Sequence, residues 1–225
     1  MSRAKFIRLS GWGLVLAAIF LLFSWLPDAK VMLNGVHQAF EAPATSAQYN
    51  LFQSLIESLR SLSFPVAILF IALGLVGLHA RHGEQAGFMA KKALMVGVAG
   101  GAAGCITYAL MVAGFVTGRP LLNISMAFMF AGLFIFGLAT LWKKSMPRGN
   151  GLPVLAGVWW PALVIQAYIF PQISRPLGPG FPAWLSFTIF FAMSFFLAWL
   201  GYVLQADVPN ERPDDNPSDL APQTL

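Results

Sequence analysis

Apolar residues in this chain fall into six long runs separated by short polar segments: Leu9–Leu26, Phe64–Ala80, Ala93–Gly114, Leu121–Trp142, Leu152–Phe170 and Phe181–Val203. Roughly 17–23 residues of helix, at about 1.5 Å per residue, cover ~26–35 Å, which matches the hydrocarbon core of a bilayer. No Asp, Glu, Lys or Arg falls within any of the six. The pattern predicts an all-α fold: a polytopic transmembrane helical bundle of six spans forming one domain over residues 1–205.

Proline placement sharpens the predicted boundaries. Pro65, Pro120, Pro153 and Pro182 fall at or just outside helix starts, where a missing N–H costs little. Pro27 and Pro171 follow helix ends. Pro161 lies inside the fifth run, where it frees the carbonyl of Gly157 and predicts a kink.

Two segments fall outside the runs. Residues 28–63 form the long loop, and their second half reads as an amphipathic helix over 46–62. Thr45 and Gln48 fit a capping box. Tyr49, Phe52, Leu55, Ile56, Leu59 and Leu62 recur at three- and four-residue spacing. That helix is expected to lie on the outer membrane surface or to lid the bundle. Residues 206–225 hold four prolines and five acids against one arginine, Arg212. Such a segment has almost nothing to bury and is expected to be a disordered cytoplasmic tail.

Composition and charge add orientation. The chain is 57% hydrophobic and 10% charged, where soluble domains carry about 25% charge. Lys and Arg hug the ends of the runs. Arg3, Lys5, Arg8, Arg81, Lys91, Lys92, Lys143, Lys144, Arg148 and Arg212 fall on one side, and Lys30, Arg60, Arg119 and Arg175 on the other. The richer side faces the cytoplasm by the positive-inside rule, which puts both termini there. The net charge of +5 is thus a topology signal and not a nucleic-acid footprint. The first run is read as a retained helix, because Pro27-Asp28-Ala29 is a poor cleavage site. One cysteine, Cys105, leaves no internal disulfide and reads as a packing residue. The expected partners are the lipid bilayer and a membrane protein, either a different chain or a second copy of this one.

Four candidate sites follow from residue types and spacing. Gly97 and Gly101, and Gly100 and Gly104, are four apart in the third run. Small residues at this spacing let another helix approach closely. They predict either a dimer face or, preferably, the central helix of this chain's own bundle. His79, His82 and Glu84 close the second run, and two imidazoles with a carboxylate can bind a metal. Gly83 is expected to break the helix first, so interfacial polar residues are the default reading and neither a metal nor a cofactor is assigned. Trp159 and Trp160 flank the Pro161 kink, as a ligand wall or as packing. Finally, Thr107, Tyr108, Asn123, Ser125, Gln166, Tyr168, Ser186 and Thr188 fall in the outward halves of their runs. They form either a polar outward cavity or interhelical glue. The ligand-binding candidates are therefore Tyr108, Asn123, Trp159, Trp160, Gln166 and Thr188.

No nucleophile elbow, phosphate loop, zinc-protease motif or dinucleotide turn occurs. No acid sits within a span to relay protons or activate water, which argues against pumps and intramembrane metalloproteases.

The stretch Gly74-Leu75-Val76-Gly77-Leu78-His79-Ala80-Arg81, followed by His82-Gly83-Glu84-Gln85-Ala86-Gly87, resembles a motif of small six-helix bacterial membrane proteins of uncharacterised activity. In those, G-L-x-G-L-x-A-R closes the second helix and A-G opens the loop to the third. The resemblance implies a six-helix bundle in a bacterial inner membrane. It brings no activity, and this chain puts His79 at a variable motif position.

Three functions remain in order of preference. The first is a non-catalytic accessory, scaffold or sensory membrane subunit. The second is a binder or passive carrier of a lipid or small apolar molecule. The third is a membrane-embedded enzyme, for which His79, His82 and Glu84 are the inner candidates and His37, Glu41 and Glu57 the outer ones.

Overall fold

A computed structural model describes residues 2–24, 46–115, 120–146, 149–158 and 181–206. Those residues form six helices and no strand: α1 (Arg3–Ser24), α2 (Ser46–Ala86), α3 (Phe88–Val112), α4 (Pro120–Lys143), α5 (Leu152–Gly157) and α6 (Phe181–Ala206). Five stretches are long and apolar enough to cross a membrane: Arg3–Ser24, Ser61–Gly83, Phe88–Val112, Pro120–Lys143 and Thr188–Ala206. This is the make-up of a multi-pass membrane protein. The fifth predicted run is described as helix over Leu152–Gly157 only; its remainder, with Trp159, Trp160, Pro161, Gln166 and Tyr168, lies outside the described residues. So do residues 207–225.

Neighbours in the chain are neighbours in space. Each helix packs on the next, and α6 closes the circuit against α1. α2 has the most partners, touching α1, α3, α4 and α6.

The first helix sorts its residues by size as well as by polarity. On α1, Ile7, Ser10, Gly11, Leu14, Ala17, Ala18 and Leu21 recur at three- and four-residue spacing and are buried. Leu9, Trp12, Leu16, Ile19, Leu22 and Phe23 cover the outward face and are exposed. In water that outward face would drive aggregation. Lipid solvates it, so the small inward residues can serve close packing instead.

Three expectations change on this structure. The first helix begins at Arg3, well before Leu9. Hydropathy marks the hydrocarbon, whereas hydrogen bonding continues through Arg3, Lys5 and Arg8, whose long stems reach back to the interface. Secondly, the amphipathic segment and the second span are one helix of 41 residues with Pro65 inside it. At ~1.5 Å per residue this is about 60 Å, twice the hydrocarbon thickness. Thirdly, Gly83 does not break α2, which runs on to Ala86. The break falls at Gly87, whose φ of 90° suits glycine.

The ends of α3 and α4 obey the same local rule. At α3, Gly114 is left-handed, with Gly114 N–H donating to Met111 and Phe115 N–H to Leu110. This is a Schellman closure. At α4, Lys144 N–H donates to Leu141 and Ser145 N–H to Thr140, with Lys144 itself at φ 50°.

Candidate functional site

Pro65 defines the first place where chemistry concentrates. Lacking an N–H, it leaves the carbonyl of Ser61 without its partner in α2. A bare carbonyl in lipid costs several kcal/mol in principle, so it needs another donor. Tyr108 of α3 supplies one: its hydroxyl donates to the Ser61 carbonyl at 2.5 Å. The Tyr108 ring also lies 6.4 Å from that of Phe64, tilted by 50°. One turn earlier on α3, the Cys105 thiol comes within 4.0 Å of the Pro65 carbonyl. Tyr108 is thus engaged with the backbone of α2, across a seam that Gly101 and Gly104 line with Ala72 and Ile68.

The other described members of the outward polar set divide. Ser125 is buried, and its hydroxyl donates to Leu121 one turn back at 2.9 Å. Asn123 and Thr188 are exposed on α4 and α6. The rest of the proposed ligand wall, Trp159, Trp160 and Gln166, lies outside the described residues.

Several other hydroxyls behave as Ser125 does, whereas the buried hydroxyls of Ser145 and Ser194 meet no partner among the described residues. Ser10 donates to Phe6 at 2.9 Å, Ser24 to Leu21 at 2.7 Å, Ser63 to Leu59 at 2.5 Å and Thr140 to Gly137 at 2.8 Å. Each reaches a carbonyl three or four residues back on its own helix. A hydroxyl held this way is satisfied locally and is not poised as a nucleophile, which would need an adjacent base.

At the opposite end of α2, His82 is 3% exposed and His79 is half-buried. The ring of His79 lies over Gly83, where a Cβ would sit 2.9 Å from Nδ1. Glycine therefore makes room for an imidazole on α2. Among the described residues no group of three His, Cys, Asp or Glu comes together. The side chain of Glu84, the third candidate ligand, lies outside the described residues.

The glycine row of α3 has a definite partner. A Cβ on Gly100 would meet Met129 N at 2.7 Å and Ser125 O at 2.8 Å; one on Gly97 would meet the Met129 carbonyl at 3.2 Å. From the other side, a Cβ on Gly132 would come 2.7 Å from the Gly97 Cα. The two backbones touch, and only glycine lets them. Yet among the described residues α3 is not the central helix. It is the least buried of the five spanning stretches and packs on α2 and α4. Its outward face, with Met95, Val96, Ile106 and Leu110, is exposed. A glycine face needs only one partner, so its spacing says nothing about centrality.

Two contacts carried no signal in local spacing. Gly11 of α1 and Gly201 of α6 face each other, with a Cβ on Gly11 reaching the Gly201 carbonyl at 2.7 Å. Gly74 and Gly77, in the stretch that carries the bacterial resemblance, lie against Leu14 and Ser10 of α1. Close by, the Arg3 guanidinium donates to the Ala80 carbonyl. The motif therefore builds the α1–α2 seam and its cap. No family model matches the chain, and neither a curated protein nor a solved structure gives a match.

Proposed function

We propose that this chain is a six-span protein of a cell's inner membrane, with both termini cytoplasmic, acting as a non-catalytic accessory, scaffold or sensory subunit. The observation that carries the reading is the engagement of five spanning hydroxyls. Ser10, Ser63, Ser125 and Thr140 bond their own helices, and Tyr108 bonds the Ser61 carbonyl. These five serve architecture, while the buried Ser194 hydroxyl of α6 meets no partner among the described residues. The orientation rests on Arg3, Lys5, Arg8, Arg81, Lys91, Lys92, Lys143 and Lys144 at the end where α1 starts and α6 stops. The inner membrane follows from the bacterial resemblance. A subunit of this kind works through surfaces: the exposed apolar face of α3 within lipid, and Leu55 and Leu59 on the part of α2 that outruns the span.

Native mass spectrometry of the protein gently extracted from its own membrane tests the reading. The expected result is a complex containing a second polypeptide. A 24.4 kDa chain carrying one lipid-sized increment would instead favour the binder, with Trp159, Trp160 and Gln166 as its wall. A bare chain would sink both. Reporter fusions at the two ends check orientation, and activity of a periplasmic reporter at either end would overturn it.

A further inference from the structure

α2 carries a second apolar face that its neighbours leave open. The inward face, with Ala67, Ile68, Ile71, Leu75 and Leu78, is buried. α1 packs on α2 at Gly74 and Gly77, and α3 packs on it at Ile68 and Ala72. A different row lies on the opposite side of the helix. Leu55, Leu62, Leu69 and Val76 stand seven residues apart, and Leu59, Val66 and Leu73 fill the places between. Steps of four and three in strict alternation are the heptad of a coiled coil, with Leu59, Val66 and Leu73 at a and Leu55, Leu62, Leu69 and Val76 at d. Leu55, Leu59, Leu62 and Leu69 are 54%, 44%, 63% and 58% exposed, and Val66, Leu73 and Val76 are half-buried.

Lipid accounts for only part of this row. The spanning stretch of α2 starts at Ser61. Leu55 and Leu59 come before it, yet they continue the row in the same phase. Around them the sequence is polar, with Ser54, Glu57, Ser58 and Arg60. Exposed apolar residues grouped on such a helix mark an interaction surface. Hydrocarbon solvates any apolar surface and imposes no period of 3.5 residues. A repeat kept in phase from outside the span into it therefore points to another helix as the cover.

The flanking positions say which helix. Coiled coils select unlike partners through charges at e and g. Here e holds Ile56, Ser63 and Phe70, and g holds Ser58, Pro65 and Ala72, with no charge among them. Glu57 and Arg60 fall at f and b, off the seam. Two copies in register thus set no like charges against each other. Insertion orients every copy alike, so a second α2 lies parallel to the first. A two-fold axis along the membrane normal then brings each residue at d to its own counterpart.

We propose that two copies of this chain pair through this seam, α2 against α2. From Leu55 to Val76 the seam is about 33 Å long and ~10 Å wide, which gives roughly 330 Å² on each copy. Twice that area is below the ~1,200 Å² at which long-lived interfaces begin, so the pair forms and parts reversibly. The pairing gives the exposed leucines of α2 an occupant, and it stands whether the chain is a subunit or a carrier.

The test uses the full chain in its own membrane, with Cys105→Ala removing the native thiol and one cysteine introduced at a time. Under a mild oxidant, Leu55→Cys, Leu62→Cys and Leu69→Cys should form disulfide-linked dimers about fivefold faster or more than Glu57→Cys and Arg60→Cys on other faces of α2. The triple variant Leu55→Ala, Leu59→Ala, Leu62→Ala changes exposed positions only, and an unchanged circular dichroism spectrum would show that it is folded. Its dimer dissociation constant should rise roughly tenfold or more, read by energy transfer between labelled copies diluted in lipid. An unchanged constant would overturn the pairing. Equal cross-linking at all five positions would reduce it to random collision and overturn it. Faster dimers from Met95→Cys or Ile106→Cys would move the contact to α3 and overturn it equally. Absence of dimers, with a different polypeptide in the native mass spectrum, would overturn self-pairing and leave the subunit reading standing.

Discussion

α3 is held on its two sides by opposite means. Toward α4, contact comes from removing atoms: Gly97, Gly100 and Gly132 let one backbone rest on another. Toward α2, contact comes from adding a group: the Tyr108 hydroxyl fills a hydrogen bond that Pro65 took away. The first seam is steric and tolerates no enlargement. The second is polar, and its loss leaves a carbonyl unsatisfied. Membrane helices gain little from burying apolar surface against one another, so both routes supply what hydrophobic association would supply in water.

The sharpest way to break the comparison is at the steric seam. Gly132→Leu would drive a side chain into the Ala93 carbonyl and Gly97. We expect a loss of at least ~3 kcal/mol, read as the absence of a folded monomer in detergent. A folded, wild-type-like monomer would show that the seam can open.

The polar seam should yield less. Tyr108→Phe keeps the ring against Phe64 but strands the Ser61 carbonyl, costing about 1–2 kcal/mol in denaturant titration. Pro65→Ala restores the helix's own donor. In that background the same substitution should cost less, with a coupling of ~1 kcal/mol in a double-mutant cycle. Strict additivity would dissociate Tyr108 from the proline.

The smallest effect sharpens the contrast within α3 itself. A Cβ on Gly104 would meet Ile68 at 3.4 Å and Ser125 at 3.7 Å, which is ordinary contact. Gly104→Ala should therefore stay within about 0.5 kcal/mol of wild type or gain slightly from helix propensity. Gly100→Ala, one turn away against Met129 N and Ser125 O, should cost ~1–3 kcal/mol. Equal melting temperatures for the two would remove the steric account.

How legible this was in the sequence depended on how local the cause is. A run such as Leu121–Trp142 announces its helix, because hydrocarbon thickness and apolar length are both local facts. The close approach at Gly97 and Gly100 was legible for the same reason, through spacing on one helix. Pro65 was not. A proline at a helix start and one inside a helix differ in whether the carbonyl four residues back finds a donor. Here the donor, Tyr108, lies 47 residues beyond Ser61. Tyr108 itself was placed in a polar outward set by depth alone, which says where a hydroxyl sits and not which backbone it meets. The Gly11–Gly201 contact needs a tertiary neighbour to give either glycine meaning, and no periodicity on one helix records that.

The closure of α6 on α1 also has a meaning in time. The glycine face that α1 turns toward Gly201 exists as soon as Ser24 has left the ribosome, but its partner arrives roughly 180 residues later. At about 5–20 residues per second, that interval is on the order of ten to forty seconds. Once α2 has followed, the first helix sits in the membrane with one seam satisfied by α2 and the other facing lipid or an insertion factor. Assembly of this protein is therefore gated by its last helix, and a truncation before Phe181 should leave a chain that inserts but never closes.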